Sequence, residues 1–163
     1  MNLSECLSRI EPQSAKWREA ARDHIRSLTM PRWALGRLLD LAVDLAGITR
    51  RIDFPVARKK IVLMAGDHGV VAEKVSPQPQ CVTVQMLRNF SRGGGAIRVL
   101  AANAGADVRL VDLGVNADVR GLPGVIHRKI AFGTENMRRG PAMSRAQALA
   151  SVEAGIALAE ELA

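Results

Sequence analysis

Lys60-Ile-Val-Leu-Met-Ala-Gly66, followed by Asp67-His68-Gly69-Val70, decides the fold. A short, unbroken apolar run that stops at a glycine suits a strand covered on both faces, as in a parallel sheet. A second run, Asp107-Val-Arg-Leu-Val-Asp-Leu113, also stops at a glycine, Gly114. Two apolar stripes at helical spacing lie between them. Val82, Met86 and Phe90 mark the first, and Ile97, Leu100, Ala101 and Ala104 the second, which Gly105 ends. Strand, helices, strand is a parallel crossover unit. The expected class is therefore α/β, a parallel Rossmann-like sheet flanked by helices. Val125 to Ile130 reads as a third, shorter strand. Ser144 and Gln147 have the form of a capping box. They open a final helix whose expected buried stripe is Leu149, Val152, Ile156 and Ala159.

Upstream the character is helical. Trp17, Ala21, Ile25 and Leu28 share one face of a helix from Gln13 to Leu28. After Pro31, Leu35, Leu38, Ala42, Leu45 and Ala46 form another stripe, with Gly47 as the expected stop. The expected division is a helical segment over 1–50, contributing to a smaller lobe, and a partial α/β domain over 51–163.

Composition narrows the function classes. The chain has 163 residues, 48% of them hydrophobic and 24% charged, an ordinary globular mix. A net charge of +7 suits phosphate-bearing partners. Aromatics are only 3%, and the basic residues are spread along the chain, so a nucleic-acid platform is disfavoured. No apolar run approaches the ~18 residues of a membrane span. Met1 to Pro12 lacks the pattern of a secretory signal. Cys6 and Cys81 are not metal-spaced, which leaves a reduced, cytoplasmic setting as the default.

Ligands of parallel sheets bind outside the carboxyl ends of the strands. Asp67 and His68 leave the first strand there, between glycines. They read as a polar contact or acid–base pair, or as a loop cap and a packed side chain, the second being commoner for isolated residues. No second ligand supports a metal. Asp112 is open in the same way, between a functional acid and a loop cap. Gly93-Gly94-Gly95 follows a helix rather than a strand, which favours a helix break over a phosphate cradle. The loop Ser76 to Thr83 leads into the helix bearing Val82 and Met86, a reasonable wall for a planar apolar ligand. Thr134, Glu135 and Asn136 lie in the most polar long loop. Arg138 and Arg139 read as solvated charges, and His24 and His127 as structural.

Three blocks, in order and at matching spacing, resemble the nicotinate-nucleotide–dimethylbenzimidazole phosphoribosyltransferase family of cobalamin biosynthesis. Leu35-Gly36-Arg37-Leu38 resembles the end of an early motif. Ala65 to Val70, with Val75-Ser76, Pro79, Val82-Thr83, Met86, Asn89-Phe90 and Gly93-Gly94, resembles the longest signature. Gly133-Thr134, Asn136 and Pro141-Ala142-Met143 resemble a third. The resemblance covers nearly the whole chain and about the first half of the family's length.

It implies transfer of a phosphoribosyl group from nicotinate mononucleotide to a benzimidazole-type base. The products are nicotinate and the α-riboside phosphate of the cobalamin lower ligand. No metal or organic cofactor is implied. Gln78, Val82 and Met86 become base-pocket residues, with Asp67 and His68 near the site. The family's catalytic glutamate lies beyond the matched region, so no catalytic residue is assigned and the chain alone is expected to be inactive. A homodimer or a complementary C-terminal chain is the expected partner. The alternative is a non-catalytic base-binding or regulatory module that needs such a chain. Pro31-Arg32-Trp33-Ala34 departs from the usual Pro-Pro-Gly-Ser, Arg98 replaces a common Asn, and Gln78 stands where Tyr or Ser is frequent.

Overall fold

The computed structural model describes residues 1–163. They divide into two units, Ser8–Arg58 and Met1–Leu7 with Lys59–Ala163. The division falls at Arg58/Lys59 rather than at 50/51, because Phe54 packs against the core of the helical unit.

A short helix, α1, spans Leu3–Ser8. The helical unit is built on α2 (Ala15–Ser27) and α3 (Arg37–Thr49), which pack through Ala21, Ile25, Leu39, Val43 and Ala46. Ser14 caps α2, its hydroxyl accepting from the Trp17 N–H. Leu28 is 42% exposed, so the predicted stripe ends one turn early. The phase of α3 also differs from expectation. Leu39, Val43, Ala46 and Gly47 are buried, whereas Leu35 and Leu38 are exposed. Gly47 does not stop the helix. A Cβ there would lie 2.7 Å from Cγ of Arg18, so the glycine admits a crossing side chain. Arg50, in the left-handed region at φ 56°, ends α3 instead.

The larger unit carries a three-stranded parallel sheet of order β1-β2-β3: β1 is Lys59–Gly66, β2 Ala106–Gly114 and β3 Val125–His127. The third ladder is shorter than predicted, although the Arg128 and Ile130 N–H groups still donate to Asp112 and Leu113 carbonyls. Between β1 and β2 run α4 (Cys81–Ser91) and α5 (Ala96–Asn103). Leu87 of α4 and Ala101 of α5 pack with Leu63, Ala65, Val108 and Leu110 on one face of the sheet. The glycine triplet acts as a helix break. A Cβ on Gly94 would lie 2.1 Å from Asn89 Oδ1, and Gly95 has φ 81°.

The last helix, α6, spans Arg145–Leu162 and opens with the capping box. Its predicted stripe is a correction: Leu149 and Val152 are 42% and 48% exposed, Ala159 is exposed, and Leu158 is the buried residue. Ile156, the remaining member of the stripe, is half-buried, as are the smaller Ala148, Ser151 and Ala154.

Candidate functional site

The carboxyl ends of β1 and β2 meet at a pair of glycines. The register shifts between Ala65 and Gly66, so that Gly66 lies opposite Gly114. The Gly114 carbonyl then accepts from the N–H groups of both Asp67 and Gly133, at 2.9 and 3.0 Å. Three segments that are far apart in sequence converge on one carbonyl.

Asp67 is 5% exposed. Its carbonyl accepts from the Thr134 N–H at 3.0 Å, and its Oδ2 from the Asn116 N–H at 2.7 Å. The Asn116 side chain donates to Gln80 Oε1 at 2.9 Å, at the start of α4. Asp67 therefore joins the ends of both long strands to the loop that follows β3. His68 pairs with Thr134 in a parallel bridge, and the Gly69 N–H donates to the Thr134 carbonyl at 3.0 Å. A Cβ on Gly69 would lie 2.6 Å from that carbonyl, so only glycine allows the approach.

Two cavities share the wall formed by Gly66, Asp67 and His68. One, of about 480 Å³, has Gln78, Pro79, Gln80, Val82 and Met137 on its other sides. The other, of about 510 Å³, is lined by Met64, Leu113, Phe132, Gly133, Gln147 and Ser151 among others. Both volumes suit small organic ligands. The structure thus brings Gln78, Val82, Asp67 and His68 to one cavity. Met86 lies outside the lining of either cavity and is 41% exposed.

Asp112 is a loop cap and more. It is 1% exposed, and its Oδ1 accepts from the Val115 N–H and from Lys129 Nζ, both at 3.0 Å. Lys129 also donates to the Val115 carbonyl and lies 4.7 Å from the Phe132 ring centre. His127 Nδ1 is buried, without a hydrogen-bond partner, 3.9 Å from Asp112 Oδ2. Sequence reading missed Lys129, because its link to Asp112 depends on the β2–β3 register. Arg138 and Arg139 are not merely solvated. Both pair with Glu73, which also accepts from Asn136 Nδ2 at 2.8 Å. That cluster ties the polar loop to the 3-10 turn Gly69–Glu73. No group of three or more His, Cys, Asp or Glu is placed to hold a metal ion. No helix is long and apolar enough to cross a membrane.

Comparison with known proteins bears on this arrangement. A family model described as a phosphoribosyltransferase matches residues 10–163. A nicotinate-nucleotide–dimethylbenzimidazole phosphoribosyltransferase from Syntrophotalea carbinolica is 51% identical over 99% of this chain and 46% of its own length. One of the same description from Desulfotalea psychrophila is 50% identical over 96% of this chain and 45% of its own. A crystal structure of the Thermus thermophilus protein of that name superposes with a TM-score of 0.82. It is 40% identical, with 91% of this chain and 45% of that chain covered. The chain spans slightly under half the length of the relatives it matches.

Proposed function

The chain belongs to the nicotinate-nucleotide–dimethylbenzimidazole phosphoribosyltransferase family, and from that premise we propose that it forms the N-terminal, base-holding part of such an enzyme. The observation that carries this reading is the cavity of about 480 Å³ in which Gln78 and Val82 face Asp67 and His68 at a strand end. A flat heterocycle needs apolar contact and a few convergent polar groups, and this cavity offers both. Gln78 and Val82 hold the base. Met86, one turn beyond Val82 on α4, is not part of that lining.

The reaction joins a benzimidazole nitrogen to the ribose anomeric carbon of nicotinate mononucleotide. The bond from that carbon to the nicotinate nitrogen breaks, and nicotinate leaves with the electron pair. The proton on the attacking ring's N–H passes to a carboxylate. That carboxylate and most of the phosphate site belong to the part of the relatives' length that this chain does not span. Alone, the chain binds base weakly and does not turn over, and a complementary polypeptide restores activity. Two free thiols, Cys6 and Cys81, suit a cytoplasmic setting.

Titration of the chain with 5,6-dimethylbenzimidazole, followed by amide chemical shifts, tests this. Shifts should concentrate at Gln78 to Val82 and at Asp67 and His68, and Val82→Trp, which fills the cavity, should abolish them. Shifts confined elsewhere would remove the base-pocket assignment. Formation of α-ribazole phosphate by the chain alone would refute its inactivity.

A further inference from the structure

The smaller cavity has two walls of separate origin. One is the end of β1, Gly66-Asp67-His68. The other is the start of α4 with the loop before it, from Gln78 to Thr83. The first wall is held from several sides. Gly66 and Asp67 are tied to Gly114, and His68 and Gly69 to Thr134.

The second wall has less to hold it. α4 is anchored in the core by Leu87, which is 1% exposed and lies nearly two turns beyond the helix start. In the first turn Cys81 is exposed, and Val82 and Thr83 are half-buried. Helix starts are commonly steadied by a cap side chain that accepts from a backbone N–H of the first turn. Gln80 stands at the cap position and makes no such bond. Its Oε1 accepts instead from Asn116 Nδ2, at 2.9 Å.

Asn116 lies two residues past β2 and lines neither cavity. It nevertheless joins both walls. Its main-chain N–H donates to Asp67 Oδ2 at 2.7 Å, and its side-chain amide donates to Gln80. Alanine at position 116 would keep the first bond, which the backbone makes, and lose only the second. The rest of the second wall moves with Gln80. The Thr83 N–H donates to the Gln80 carbonyl, and the Val82 N–H to the Pro79 carbonyl. Contact attraction falls steeply once a wall recedes by roughly 0.5–1 Å. A base with extra methyl groups touches more of both walls, so it loses more when they part.

We propose that Asn116 is a positioning residue of the base cavity: by bridging Asp67 and Gln80 it fixes the separation of the two walls and so favours a base of one width. The proposal rests on the base-pocket reading above. It adds to that reading a source of selectivity in a residue that does not line the cavity.

The test uses the whole chain, its Asn116→Ala and Gln80→Ala variants, and the double variant. Amide hydrogen exchange without ligand reads Val82 and Thr83, whose N–H groups close the first turn. Both should exchange about fivefold faster in Asn116→Ala, the contribution of one neutral hydrogen bond. Titrations with 5,6-dimethylbenzimidazole and with unsubstituted benzimidazole, followed by amide chemical shifts, read the pocket. Asn116→Ala should weaken the dimethyl base about fivefold and the smaller base about twofold or less. The double variant should bind no more weakly than Gln80→Ala alone, because both substitutions remove the same bond. Unchanged exchange at Val82 and Thr83, additive losses in the double variant, or equal weakening of both bases would overturn the proposal. A parent chain whose cavity amides respond to neither base would remove the base-pocket reading, and the selectivity with it. Exchange at Val82 and Thr83 then decides by itself whether Asn116 holds the walls together.

Discussion

Lys129 shows how one side chain can hold a loop in place. Its ammonium neutralises a carboxylate that is 1% exposed and bridges to the Val115 carbonyl. Removing one partner of a buried pair strands the other, at a cost of about 3–5 kcal/mol. Lys129 is 20% exposed on its side chain, so Lys129→Met should cost near the lower end, about 3 kcal/mol, measured by urea unfolding. The Val115 carbonyl that Lys129 holds directly precedes Asn116, whose N–H donates to Asp67 Oδ2 at 2.7 Å. The position of Asp67 and His68 on the cavity wall was legible in sequence because a glycine-flanked strand end has a fixed place in a parallel sheet. Gln78 and Val82 were singled out by their loop and by the resemblance. Lys129 was not, because nothing local marks a lysine whose partner sits 17 residues away on another strand.

At the level of elements, local chemistry was legible and rotational phase was not. The capping box at Ser144 and Gln147 needs only four consecutive residues, and both of its bonds form, at 3.2 and 2.8 Å. Ser144→Ala should lower stability by about 1 kcal/mol, read from the thermal midpoint. Gln147→Ala should leave the Ser144 hydroxyl bond intact and cost less. The phase of α3 and that of α6 were misread for different reasons. A stripe chosen by large apolar side chains assumes that the largest residues face inward. In α6 the small Ala148, Ser151 and Ala154 share the half-buried side with Ile156, while Leu149 and Val152 are exposed. In α3, Gly47 lies where Arg18 must pass, so the helix turns that face inward instead.

For the whole molecule, the crossover unit was readable because strand, helix and strand follow one another and handedness fixes the rest. The position of α6 required coordinates, since β3 alone does not say toward which side the chain returns. The Gly114 carbonyl that serves both Asp67 and Gly133 makes the rim of the two cavities a single opening unit, so the Asp67 and Gly133 amides should exchange with solvent at similar rates.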